Sequence, residues 1–444
     1  GVIAPRISLA KVDFPDPDSP AITSTSPLCS ENVTSSIALT IDVLEPNRLF
    51  LIKSLDKPST LKISLNKHNY FPNISIDAKQ RVHPKGIYVD KFLLHFIILK
   101  TIQKELGYIK HVMDDRLSYF EQTDKKFENT FADELSQSLN QKQKSIDPKF
   151  FYDEKGSKLF EKICSLPEYY LTRAEISILK QLEQKFPSYL DGDFRLVELG
   201  SGSSTKTQLL IDVLVKLQKH VEYFPIDISK ILKDSCLKLQ YNYKTLHITG
   251  IIDNYERGLE FVKDYDDKKN LIVFLGSSYG NFYPEDGLVF LQKINSFMKK
   301  NDLFLIGLDL VKEKTILEKA YNDARGVTAQ FNLNILTRIN SELGGNFDTS
   351  KFAHHAMYNE NKNRIEIYLR SLSNQTVIIP KSNLVLQIDE NELIHTENSH
   401  KFTKSQIIEM FGISGFQIND IWYDQNEHFC LALFSKKTKH LRHT

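Results

Sequence analysis

Cysteine is scarce in this chain: Cys29, Cys164, Cys236 and Cys430 are the only four in 444 residues, and no two lie close together. That scatter excludes a disulfide framework or a thiolate zinc site and favours a reducing compartment. An excess of charge of one sign is missing as well. The 57 Lys and Arg against 56 Asp and Glu leave a formal net charge of +1, so no bulk field gathers nucleic acid, and no basic stripe carries interleaved aromatics. Long apolar runs are absent too. The longest near the front, 92–99, is interrupted by His95 and falls far short of the roughly 20 residues that span a bilayer. No secretory-leader order and no internal repeat is found. These absences predict a soluble, cytoplasmic protein with a small-molecule partner, no nucleic acid, no membrane and, by default, a monomeric state.

What is present is ordinary globular material, 41% hydrophobic and 25% charged, long enough for two or three domains. Residues 1–90 stand apart: Pro and Ser cluster between Pro15 and Pro27, and no period persists. This stretch is either an accessory segment or an extension joined to the coding frame in error. With a polar, helical lead-in predicted over 91–130, the whole of 1–130 is set aside as an N-terminal segment.

From 131 the pattern becomes regular. Helices are predicted over 131–139 and around 159–166. Short apolar strands at 196–199, 221–226, 247–252, 271–275 and 303–308 then alternate with helices at 204–217, 228–239, 258–265 and 285–298. That rhythm argues an α/β, doubly wound parallel sheet. After Asp309 it breaks into helices at 316–322 and 329–343 and close antiparallel strands at 353–359, 365–371 and 376–380. A helix at 404–410 and strands at 416–424 and 429–435 return to the sheet. The domain reading is therefore 131–310 plus 402–438, with a smaller α+β domain inserted at 311–401.

The most informative stretch is LVELGSGSSTK from Leu196, a buried strand entering a glycine turn and then a helix. Glycines let the backbone approach a ligand, and the helix start offers unpaired N–H groups. Asp227 ends the next strand, where a carboxylate can accept both hydroxyls of a ribose. A nicotinamide site would want a third glycine near 205 to seat a pyrophosphate, and Thr205 stands there instead. S-adenosylmethionine has no pyrophosphate, so Glu-x-Gly-x-Gly suffices, and a methyltransferase is favoured over a nicotinamide-dependent oxidoreductase.

Five blocks then carry a resemblance: FFYDEKGSKLFEKICSLPEYYLTRAE from Phe150, LVELGSGSSTKT from Leu196, FLGSSYGNFYPED from Phe274, GLDLVKEKTILEKAYNDARGVTAQFNLNIL from Gly307 and HTENSHKF from His395. In order and spacing, 131–438 resembles the histidine-specific methyltransferase family that begins ergothioneine synthesis. The resemblance implies a Rossmann-like class I methyltransferase domain with an inserted substrate-binding domain, and S-adenosylmethionine as cofactor. It implies that Tyr152, Phe160, Gly200, Lys206 and Asp227 line the cofactor pocket. Asn254 and Tyr255 stand where the family has an Asp followed by an aromatic beside the adenine, and Asn254 could still accept a bond through its carbonyl.

For the acceptor, the resemblance maps onto Tyr169, Asn281, Tyr321, Glu397 and Ser399. Asn281 and Tyr321 suit an α-carboxylate and amine. Glu397 and Ser399 share one face of an extended segment and suit two imidazole nitrogens. Ile367 replaces a methionine common in the family, so a different amino acid or amine is the alternative acceptor.

The implied reaction is methylation of the α-amino group of L-histidine, through to the trimethylated product hercynine. Its in-line displacement needs a neutral amine held about 3 Å behind the methyl carbon. Tyr152 is expected to orient amine and methyl. Taken singly, Tyr169 and Tyr321 read as packing residues, Asn281 as turn chemistry after Gly280, and Lys206 and Glu397 as solvated charges; only their joint appearance in matching blocks reverses this. The pair His354-His355 is not read as a metal site, because neighbours in a strand point to opposite faces.

Overall fold

The computed structural model describes residues 107–122, 131–202, 205–229 and 231–437, together with the backbone of 37–45, 48–51 and 61–65. The chain divides into two compact units, Gly1–Lys91 and Phe92–Thr444. In the first, β1 (Ile37–Glu45) pairs antiparallel with β2 (Arg48–Leu51) and parallel with β3 (Leu61–Leu65). Ile37, Leu39, Ile41 and Val43 alternate along β1, a strand period that the preceding Pro and Ser cluster obscures. The remainder of 1–90, Cys29 included, lies outside the described residues.

The second unit is built on a nine-stranded sheet. Its strands are β4 (Tyr108–Val112), β5 (Leu117–Gln122), β6 (Phe194–Leu199), β7 (Val221–Asp227), β8 (Leu246–Ile252), β9 (Lys269–Phe274), β10 (Leu303–Asp309), β16 (Phe416–Tyr423) and β17 (Phe429–Lys436), in the order β16-β17-β10-β9-β6-β7-β8-β5-β4. From β10 to β5 every neighbour is parallel, while β4, β17 and β16 run antiparallel to theirs. Both faces are covered. Along β6, Leu196 joins one apolar core and Val197 the other, which is why the parallel strands read as continuous apolar runs.

The helical lead-in expected over 91–130 is corrected by β4 and β5. Tyr119 and Phe120 are adjacent and buried in opposite cores, so this stretch has the period of a strand with both faces covered. The sheet therefore begins before 131. Smaller differences concern element ends. The helix expected at 228 begins at Leu232, after a turn in which Ser229 N donates to Asp227. The helix expected at 258 begins at Tyr255 because Asn254 caps it, its side chain accepting from Arg257 N; such a cap contributes about 1 kcal/mol.

After β10, helices Lys314–Tyr321 and Val327–Leu343 lead to β11 (Phe352–Asn359), β12 (Arg364–Ser371), the hairpin of β13 (Gln375–Ile379) and β14 (Leu384–Ile388), and β15 (Leu393–His400). β11, β12 and β15 form an antiparallel sheet. A bulge opposite Ile367 and Tyr368 leaves Thr396 unopposed, so that Glu397 faces Ile367 and Ser399 faces Ile365. Bulges re-aim side chains in this way. Phe402 N then donates to Asp309 O at 2.9 Å, returning the chain beside the end of β10 ahead of the helix Lys404–Ile413.

Candidate active site

In an open parallel sheet, ligands bind where the strand order reverses, beyond the carboxyl ends of the strands. Here the order reverses at β6, which lies between β7 and β9. Gly200 and Gly202 follow β6 with φ of +74° and +48°, a region that strains any residue bearing a Cβ. A Cβ on Gly200 would also come 2.8 Å from the Tyr255 hydroxyl. Asp227, at the end of β7, accepts from the backbone N–H groups of Ser229, Gly202 and Ser201, and burial pushes its carboxyl above the usual range. Glu198, on β6 two residues before Gly200, accepts from Thr207 at 2.7 Å and from Tyr223, and burial pushes it up to about 7.

Lys206 opens the helix Thr205–Leu217 and donates to Glu175 at 2.7 Å. Glu175 is buried on the helix Tyr170–Lys185 and also accepts from Gly276 N, just past β9. It thus ties both lips of the crevice together. Sequence reasoning passed over Glu175, though an acid among the apolar positions of that helix is a signal that could have found it.

Tyr152 ends a short 3-10 turn, Pro148–Phe151, and Asp153 caps the following helix Glu154–Cys164. Only glycine fits at 156, where a Cβ would meet the Phe151 carbonyl. Ring centroids then run Tyr152–Phe160 at 5.6 Å, Phe160–Tyr169 at 6.5 Å and Tyr169–Tyr321 at 6.1 Å. Burial first, then the negative charge of Glu397 on one side and of Asp227 on the other, holds the Tyr152 phenol well above 10. Tyr152 is therefore a neutral phenol between the glycine turn and β15, able to orient groups but not to act as a resident phenolate.

Beyond it lies a small, partly open cleft. Phe151, Phe160, Phe331 and Ile367 give it apolar walls, and Tyr169, Tyr321, Asn332 and Glu397 give it polar ones. Burial pushes the Glu397 carboxyl up to about 7 against the pull of Lys401. Ser399 and Tyr321 bond to each other at 2.7 Å. Lys401, buried, donates to Ser399 at 2.7 Å, Tyr321 at 3.0 Å and Asp309 at 2.7 Å. Asp309 also accepts from Lys312 and Tyr170, and the ammonium groups of Lys401 and Lys312 hold its carboxyl below the usual range despite burial.

The structure brings Phe160, Tyr169, Tyr321 and Glu397 around one cleft, with Tyr152 against Phe160 and Ser399 bonded to Tyr321 behind that lining, and Gly200, Lys206, Asp227 and Tyr255 around the adjoining crevice. Asn254 stands exposed, its carbonyl committed to the helix cap. Asn281, like Tyr152 and Ser399, is not among the residues lining the cleft; it ends a turn, Ser278–Asn281, whose Gly280 packs on the backbone of His400. His354 bonds Asn332 and the Tyr321 carbonyl through its two ring nitrogens, a structural use of both. Lys401 and Asp309 went unnoticed in sequence because a lysine ordinarily reads as solvated.

The sequence profile of the family described as "Histidine-specific methyltransferase, SAM-dependent" matches residues 131–436. A protein of Mycobacterium tuberculosis named histidine N-alpha-methyltransferase is 37% identical over 299 residues, covering 67% of this chain and 92% of that one. One of the same name from Mycolicibacterium smegmatis is 35% identical over 291 residues, covering 65% and 90%. Ergothioneine biosynthesis protein 1 of Schizosaccharomyces pombe is 31% identical over 277 residues, covering 60% of this chain and 35% of its own length.

Proposed function

Since the chain belongs to the histidine-specific, SAM-dependent methyltransferases, we propose that it methylates the α-amino group of free L-histidine three times to give hercynine, the first step of ergothioneine biosynthesis. The nicotinamide alternative falls with that membership. The observation that carries the acceptor assignment is the cleft, in which Glu397 and Tyr321, the latter bonded to Ser399, meet aromatic walls, with Tyr152 against Phe160.

The crevice suits S-adenosylmethionine by its donor set and shape. Asp227 accepts hydroxyls, Lys206 offers a cation, and Gly200 leaves space under Tyr255 that a Cβ would fill. We assign these residues, with Tyr152 and Phe160, to holding it, and leave Asn254 a contact at most through its second carbonyl lone pair. When bound, the cofactor supplies an electrophilic methyl carbon on a sulfonium.

The chain's own residues supply position and protonation. Glu397 and Ser399 hold the ring at the far end, Tyr169 and Tyr321 flank the acceptor, and Asn281 would reach the acceptor's carboxylate or amine only from outside the aromatic lining. Tyr152, a neutral phenol, orients the amine lone pair towards the methyl. The amine has a pKa near 8 in peptides, so its proton leaves to water before each attack. Aromatic walls without charge tolerate the growing ammonium, and cation–π attraction favours it.

We further infer that 311–401 forms the acceptor-binding insertion and 131–310 with 402–438 the cofactor-binding domain, extended by β4 and β5. We assign the enzyme to the cytoplasm and to a monomeric state. Its scattered cysteines support the first, and among the described residues no helix is long and apolar enough to cross a membrane.

The test is adenosylhomocysteine release with each of the twenty amino acids, followed by product mass. Release with histidine and a gain of three methyl groups is the expected outcome. Release only with another amino acid would replace the acceptor and leave family and cofactor standing.

A further inference from the structure

We propose that Lys401 is a positioning residue that turns Tyr321 and Ser399 into hydrogen-bond donors towards the acceptor, so that the cleft accepts an imidazole only in its neutral form. The proposal rests on histidine being the acceptor.

An ammonium donates three bonds and accepts none. Lys401 uses all three inside the protein, on Asp309, Tyr321 and Ser399, and its side chain is wholly buried. Asp309 fixes it in place from the end of β10. Each hydroxyl thus has an acceptor lone pair filled by Lys401 while its own hydrogen stays free. Without a ligand, one of the two hydrogens closes the 2.7 Å bond between Tyr321 and Ser399. The phenol is the stronger acid, so Tyr321 donates; Ser399 then has both lone pairs filled and only its O–H to offer.

Glu397 lines the same cleft, and its carboxyl, pushed up to about 7 by burial, is ionised at pH 8 and can accept a hydrogen bond there. The ring-binding end therefore presents one donor and one acceptor. Neutral imidazole matches it with one lone pair and one N–H. Imidazolium presents two N–H groups, one of them against the Ser399 hydrogen and close to the Lys401 charge. Among the described residues, the charged and titratable groups facing Lys401 are Asp309 at the end of β10 and Lys312 just after it, Tyr321 from its helix, Tyr358 from β11, and Glu397 and His400 from β15, which Lys401 follows, with Tyr170 bonded to Asp309. Asp309 is the anion that Lys401 contacts.

The test compares histidine with the tighter-binding of 3-(pyrrol-2-yl)alanine and 3-(pyrrol-3-yl)alanine, which keep one N–H and lack the ring lone pair. Affinities are measured by calorimetry on the full chain saturated with adenosylhomocysteine. Wild type at pH 8 should prefer histidine by on the order of 30-fold. In Lys401→Met, Asp309 keeps Lys312 and Tyr170 as partners, and the preference should fall by roughly tenfold because the hydroxyls become free to turn. A lower affinity for both ligands with the preference unchanged would make Lys401 merely structural and overturn the proposal.

A second arm varies the pH. The pyrrole does not titrate and the amine affects both ligands alike, while Glu397→Gln takes the Glu397 proton out of the comparison. In that variant the preference should fall about tenfold per pH unit below the imidazole pKa of ~6.5. A preference that holds or rises there shows imidazolium to be bound and also overturns the proposal. If histidine neither binds nor is methylated, it is the acceptor reading that fails.

Discussion

The two halves of the site each contain a lysine joined to a buried carboxylate by a 2.7 Å bond, and they differ in what the lysine has left to give. Lys206, paired with Glu175, keeps 26% of its side chain exposed; Lys401, paired with Asp309, keeps none. In both, burial pulls the ammonium down and the carboxylate more than restores it, so both lysines stay charged. Lys206 thus has an open side from which to meet a ligand. Lys401 has none, and can reach a ligand only through the hydroxyls that it orients. A lysine's role in a site is set less by its partner than by whether its third donor faces the cavity or the protein.

The sharpest way to break this comparison is to remove the acids. Asp309→Ala strands Lys401 and Lys312 in the interior together, which should cost about 3–5 kcal/mol in chemical denaturation. Glu175→Ala should cost less, because Lys206 can turn to water. Equal costs would erase the distinction between the pairs.

Glu397→Ala acts on the acceptor half alone. Losing a bond to a charged group costs about 1.5–3 kcal/mol, so histidine affinity should fall by roughly 10-fold to 150-fold while adenosylhomocysteine affinity stays within about twofold. Equal losses of both ligands would count against the division of the site. Glu175→Gln should do the reverse and more mildly: it keeps an acceptor for Gly276 N but frees Lys206. Calorimetry should show adenosylhomocysteine weakened by about tenfold, near 1.4 kcal/mol, and histidine little changed.

The smallest effect separates the halves by pH. Glu198 and Glu397 are both pushed up to about 7, from ~4.3 in an unfolded chain. The folded protein holds more protons between those values, so this stabilisation is full below ~4.3 and is lost as pH rises towards 7. Asp309, held low, works in the opposite sense and loses its contribution only as pH falls below ~4. His354, His395 and His400, held below the usual imidazole range by burial, work against this in the same window; the double variant Glu198→Gln, Glu397→Gln should therefore shift the slope of the ligand-free melting temperature from pH 5 to 7 upward relative to wild type. An unchanged slope would mean that these carboxyls titrate as in water.

Much of the fold was legible. The apolar runs of β6 to β10 are continuous because both faces are covered, and turn residues mark their ends. β5 was missed because Tyr119 and Phe120 sit among polar residues, and their opposite burial exists only once β8 lies alongside. In the acceptor half, a period of two put Glu397 and Ser399 on one face, and the same period continues to Lys401. Nothing local says that this lysine is buried, since burial requires Asp309, some ninety residues earlier, to arrive beside it.

The sequence by itself determined the family, the doubly wound sheet and the types of residue in the site, because periodicity, glycine turns and long ordered motifs are properties of the chain taken locally. Only the tertiary structure decided which charges are buried, that Asn254 is committed to a helix cap, that Asn281 stands outside the cleft lining, and that Lys401 lies behind Ser399 and Tyr321. Burial and hydrogen-bond direction belong to pairs of residues far apart in sequence, and those pairs exist only after the chain has closed on itself.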